Sequence, residues 1–229
     1  MITRNKWCCI CMLLIVLSLI SEYCCPPAQA ADTSIPRPAK VAESADVTSV
    51  SADFDGDGKQ EVMAFSVTGK DLDENEKGVL WFVKGGKITQ KWDETSLAKM
   101  YVANFTPDGK AEFIYTTNCT GTGRFWNVFI LQYVHGRMVQ VWAGDGTTRS
   151  GRDYVISLLK QKSVLINIRP LSDGLGYTRR KSRFEAVTLV WAKGRFKAVS
   201  TRRTTDEYET TDEAKQALGI RGILLHPKS

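Results

Sequence analysis

Asp53, Asp55 and Asp57 alternate with Phe54, Gly56 and Gly58, and Lys59-Gln60-Glu61 closes the run. Carboxylates at every second position around flexible glycines are the chemistry of a loop that wraps a hard cation. Ca²⁺ takes six to eight oxygens. The side chains of Asp53, Asp55, Asp57 and Glu61 and the backbone carbonyl of Lys59 supply most of such a shell, with water completing one site. An EF-hand starts with the same spacing but needs a bidentate Glu at the twelfth loop position, where this chain has Ala64, and needs flanking helices. Here Met63, Phe65 and Val67 follow at period two, the pattern of a strand. A cation loop between strands is therefore expected, the alternative being a solvated Asp-Gly turn.

The pattern recurs. Asn104 to Phe113 matches Asp53 to Val62 position for position, keeping the Phe, the Asp-Gly-Lys and the Glu while losing two carboxylates. Fewer charges mean weaker cation attraction, so this second loop is expected to hold its turn without metal or to bind it poorly. Downstream, Trp81 to Trp92 reappears as Leu131 to Trp142 and again as Leu189 to Ser200. Gly86, Gly136 and Gly194 fall at the same point of each copy, where a hairpin turn needs a positive φ. A third unit begins at Tyr154 to Leu159 and Ser163 to Arg169, joined by Lys160-Gln161-Lys162, and carries no carboxylate in its loop.

Over about residues 46 to 200 these units resemble the FG-GAP, or VCBS-type, integrin-like calcium-loop repeats. The resemblance implies an all-β fold of three four-stranded antiparallel propeller-like blades, at 46–93, 99–143 and 153–200, forming an open or partial propeller because closed propellers have four to eight blades. It also implies a metal between the first two strands of the first blade, held by Asp53, Asp55, Asp57 and Glu61, with Glu standing where Asp is more usual.

The elements that must position the loop suit a packed domain. Hydrophobic residues make up 43% and charged residues 24% of the chain, which excludes disordered and membrane-embedded classes. Arg4 and Lys6, an apolar run from Trp7 to Ile20 and Ala28-Gln29-Ala30 read as a signal peptide over 1–30 that is cleaved before Ala31. The run is shorter than the ~20 residues that span a bilayer, so no membrane association is expected after cleavage. All cysteines but Cys119 lie in that segment, leaving no disulfide pair in the mature chain. Residues 31–45 read as a flexible leader. In the 201–229 extension, Thr210-Thr211-Asp212-Glu213 is a capping box for a short helix ended by Gly219, and Ile223-Leu224-Leu225 reads as a strand that adds to the first repeat's sheet.

Charge divides unevenly, with residues 31–145 net acidic and 146–229 net basic. Arg179, Arg180, Lys181 and Arg183 form a cluster suited to an anionic glycan or a phosphate-bearing envelope polymer. Trp126, after the glycine-containing stretch 118–125, is a candidate for the rim of the same ligand surface. His135 and His226, the only histidines, sit in no catalytic pattern, and pairing Cys119 with His135 has no support in the sequence. No nucleic-acid-binding motif is present. The expectation is a secreted or periplasmic, non-enzymatic binding or adhesion module that holds one Ca²⁺. The alternative is a structural subunit that docks onto another envelope protein, with calcium purely structural.

Overall fold

The computed structural model describes residues 47–70, 76–119, 125–147, 153–160, 162–171 and 181–225. The segments expected to be signal peptide and leader lie outside the described residues. Twelve of the thirteen strands form three antiparallel meanders. The first sheet orders β1 (Val47–Ala52), β2 (Glu61–Lys70), β3 (Glu76–Lys84) and β4 (Lys87–Thr95). The second orders β5 (Leu97–Ala103), β6 (Glu112–Cys119), β7 (Phe125–Val134) and β8 (Arg137–Thr147). The third orders β9 (Asp153–Leu159), β10 (Lys162–Pro170), β11 (Phe184–Ala192) and β12 (Arg195–Arg203), with β13 (Ile223–Leu224) added beside β9. None of these sheets closes on itself.

Each third-to-fourth-strand hairpin turns on two residues of positive φ: Gly85-Gly86, His135-Gly136 and Lys193-Gly194. Two successive positive φ values give a turn whose twist matches that of the strands, and the glycine makes the second one cheap. Past each turn the register slips by one residue, opposite Phe82/Val83, Ile130/Leu131 and Thr188/Leu189, so the last strand of every sheet carries a bulge.

Side-chain alternation then layers the sheets. Val50, Met63 and Phe82 stand in one cross-strand row of the first sheet and pack in a common core with Met100, Phe113, Tyr115 and Leu131 of the second. The second sheet is apolar on both faces. Its opposite parity, Tyr101, Ile114, Trp126 and Ile130, packs with Tyr154, Ile156 and Leu165 of the third. The third sheet's far face, with Val155, Val164, Ile166 and Ile168, is covered by α1 (Thr211–Ala217) through Ala214, and by Ile220.

The helix starts where the capping box places it: Glu213 N–H donates to Thr210 Oγ1 at 3.2 Å, and the Glu213 carboxylate accepts from the Thr210 and Glu209 amides. The strand after it corrects the sequence expectation. β13 pairs with β9 of the third sheet, not with the first, and Leu225 N–H donates to the Tyr154 carbonyl at 2.8 Å. With α1 already docked on the third sheet, the few residues between Gly219 and Ile223 reach only that sheet's edge.

Thr210→Ala removes one side of the capping box and should cost about 1 kcal/mol of stability, measured as a shift in the urea midpoint with an unchanged slope. An unaltered midpoint would show that the helix is held by its apolar contacts alone.

Candidate metal centre

β1 and β2 pair as far as Ala52 and Glu61, so the loop 53–60 leaves and re-enters the sheet at adjacent positions. Glu61, the first residue of β2, is 2% exposed. Its Oε2 accepts the Phe54 N–H at 2.9 Å. That bond turns the loop so that the Phe54 ring enters the core between the first two sheets, edge-on to Phe82 and Phe113.

The other carboxylates organise the loop from within. Asp53 accepts Gly56 N–H on Oδ1 at 2.7 Å and Gly58 N–H on Oδ2 at 2.9 Å. Gly56 and Gly58 both hold φ above +80°, a backbone shape costly for residues with a Cβ. Asp55 Oδ1 accepts the Asp57 amide at 3.1 Å, and Asp57 Oδ1 accepts the Lys59 amide at 2.8 Å. These side-chain-to-backbone bonds shape the turn, and each carboxylate keeps lone pairs beyond those it uses for them.

One oxygen each from Asp53, Asp55 and Glu61 lies within 4.8 Å of the others. Two oxygens on opposite sides of a Ca²⁺, each 2.3–2.6 Å from it, are about 5 Å apart, so this spread fits one cation's shell. No other such trio of acidic, histidine or cysteine ligands occurs among the described residues. Asp57 is not part of the trio; its side chain is 42% exposed. Lys59 enters the turn through its amide. The pKa of Glu61 is raised by burial, and by the charges of Asp57 and Asp53, against the opposing pull of the Phe54 amide.

A cation of the protein's own already faces this cluster. Lys84, at the end of β3, ion-pairs with Asp55 Oδ2; its Nζ lies 3.9 Å from Asp57 Oδ2 and 5.3 Å from the centre of the Tyr133 ring. Nothing in the loop's own pattern points to Lys84. Comparing the hairpins does, because the residue before the turn is Lys84 in the first sheet, Val134 in the second and Ala192 in the third.

The second loop keeps the first one's frame. Glu112, 1% exposed, accepts Phe105 N–H at 2.7 Å, and Phe105 is buried in the next core, edge-on to Phe196. Thr106 takes the place of Asp55. Its Oγ1 stands 2.7 Å from Glu112 Oε1 and also contacts Asp108 Oδ1. A hydroxyl has one proton to give and here meets two carboxyl groups, so one of the two contacts lacks a donor while both are ionised. The Glu112 pKa is pushed up to about 7, chiefly by burial and further by the charge of Asp108, while bonds from Thr106 and Phe105 pull it down. In the third repeat β9 and β10 meet in a short turn at Lys160, without carboxylates. The loops also join one another: Ala111 N–H donates to the Asp53 carbonyl and Ser163 N–H to the Asn104 carbonyl, both at 3.0 Å.

The expected ligand surface does not assemble around Trp126. Trp126 is 1% exposed and sits edge-on to Tyr154 in the core between the second and third sheets, so it cannot form a rim. Its parity with Val128 and Ile130 on β7 carries that signal in the sequence. Arg179 and Arg180 lie outside the described residues. Lys181 and Arg183 are exposed on either side of Ser182, whose backbone pairs with Tyr208. Lys181 shares a groove with Glu207, Glu209 and Glu213, which temper the positive field there. His135 is an exposed turn residue, and His226 lies outside the described residues.

Glu112 generates a pH dependence. Its folded-state pKa, about 7, lies above the ordinary 4.5, so folding favours the protonated form. The associated stability is fully present below about pH 4.5 and lost as pH rises through 7, in all on the order of 3 kcal/mol. Glu112→Gln keeps an acceptor for the Phe105 amide and adds a permanent donor. Urea unfolding between about pH 5 and 7.5 should therefore show a flatter stability profile in the variant. Identical slopes would show that Glu112 is charged throughout. Comparison of the chain with known protein families, curated proteins and solved structures finds no match.

Proposed function

We propose that loop 53–61 binds one Ca²⁺ and that the protein is an exported, non-enzymatic binding module built from three propeller-like blades of the FG-GAP or VCBS type. The clustering of Asp53, Asp55 and Glu61 carries this reading, because three carboxylate oxygens within the span of one cation's coordination shell repel one another, and a divalent cation among them relieves that repulsion. Supporting it, Asp53 and Glu61 are oriented by backbone amides, so little ordering cost remains when the ion arrives. The metal's role here is to brace. It ties the loop to the Phe54 anchor and hence to the core between the first two sheets. Recognition belongs elsewhere, to a partner such as an anionic envelope glycan. The exposed Lys181 and Arg183, with Arg179 and Arg180 beside them in sequence, favour a polyanion over an apolar ligand.

Asp55→Asn tests the metal. It keeps an oxygen for the Asp57 amide but loses a charge and a strong ligand. Wild-type protein should gain about 2.7 kcal/mol when calcium stands at a hundredfold its Kd. The variant should need at least about tenfold more calcium for the same gain. An equal calcium response in both would end the assignment. Changing Arg179, Arg180, Lys181 and Arg183 together to Ser should abolish salt-sensitive retention on an immobilised anionic polysaccharide while leaving the melting temperature and calcium response unchanged. Retention that survives would move the partner site off this cluster.

A further inference from the structure

Among the described residues Lys84 is the lysine that ion-pairs with the acidic loop, and it comes from a different strand pair, while the Lys110 side chain packs over Gly56. The Asp55 side chain it meets is only 5% exposed, whereas the Lys84 side chain is 36% exposed. A carboxylate so enclosed needs a counter-charge, and in the described structure Lys84 supplies it. The lysine itself has room to leave. Its four-carbon stem reaches solvent, and the Tyr133 ring offers a second place for the ammonium on the neighbouring sheet. Across the three hairpins a lysine stands at this position only in the unit with the acidic loop.

We propose that Lys84 is a built-in competitor of the divalent cation: the ion enters loop 53–61 by displacing the Lys84 ammonium from Asp55, so that Lys84 sets both the calcium threshold of the loop and its stability without calcium. The proposal rests on the calcium reading above and adds its regulation. A lysine ammonium and a Ca²⁺ cannot both sit against Asp55 Oδ2, because at contact distance in a partly buried site their repulsion exceeds what water would screen. Exchange leaves Asp55 with a counter-charge in both states. The loop then keeps its shape at low calcium, and the ion gains only the difference between its own attraction and that of the lysine.

The test compares wild type with Lys84→Met by calorimetric Ca²⁺ titration and by thermal unfolding in excess chelator. Lys84→Met should bind calcium at least about tenfold more tightly, since the competitor is gone, and should melt at a lower temperature in chelator, since Asp55 loses its partner. Calcium affinity equal in the two proteins would overturn the proposal and leave the calcium reading standing. No calcium binding by either would overturn both. Should Lys84→Met not fold, wild-type protein decides through amine acylation read residue by residue in a mass spectrometer. Lys84 should react slowly in chelator and faster in saturating Ca²⁺, while Lys87, on the same hairpin, reacts equally in both. A Lys84 rate indifferent to calcium would overturn the proposal.

Discussion

A buried glutamate that accepts the amide of a phenylalanine seven residues earlier sets the geometry of this molecule. Glu61 does so for Phe54, and Glu112 does so for Phe105. Each glutamate begins the second strand of its sheet, and each phenylalanine lies in a core between two sheets. One hydrogen bond thus links the path of a surface loop to the packing of sheet on sheet. When the glutamate is ionised, charge makes the bond strong, since an amide donating to a carboxylate gives roughly twice the strength of a neutral pair. Charge also makes it expensive, because a carboxylate at 1–2% exposure has lost most of its water.

The repeats meet that cost in different ways. Around Glu61 the loop gathers Asp53 and Asp55 and sets a cation against them, Lys84 in the described structure. Around Glu112 the carboxylates thin to Asp108, Thr106 intervenes, and burial raises the glutamate's pKa to about 7, which favours its protonated form. The third sheet has no glutamate at the start of its second strand, where Lys162 and Ser163 stand, and its loop shrinks to a short turn. The first two loops, 53–60 and 104–111, are equally long and each is followed by a buried glutamate; the third connection has neither the length nor the glutamate. The backbone bonds from Ala111 to the Asp53 carbonyl and from Ser163 of β10 to the Asn104 carbonyl link the first loop to the second and the second to the third sheet.

Local patterns carried most of the fold. Period-two strands, hairpin glycines and the Thr210 capping box are each decided within a few residues, and the all-β class follows from them. Pairings that depend on distant segments were not legible. The partner of β13 is settled by where α1 docks, which no neighbour of Ile223 encodes. Trp126 looked like a rim residue because glycines precede it, yet its alternation with Val128 and Ile130 commits it to the core. At the loop, residue types pointed to Asp53, Asp55, Asp57 and Glu61, of which Asp53, Asp55 and Glu61 gather their oxygens while the Asp57 side chain stays 42% exposed. Lys84 was hidden because it arrives from another hairpin, at the end of β3.

Amide hydrogen exchange in the two loops, followed with and without Ca²⁺, tests most directly whether the first loop is a cation site and the second its metal-free counterpart. Phe54, Gly56 and Gly58 donate to carboxylates of the proposed site, and Phe105 donates to Glu112. Calcium should slow exchange at the first three amides by at least about tenfold, the change expected when binding stabilises the closed loop by 1.4 kcal/mol or more, and should leave Phe105 unchanged. Equal slowing in both loops, or none in the first, would contradict the account.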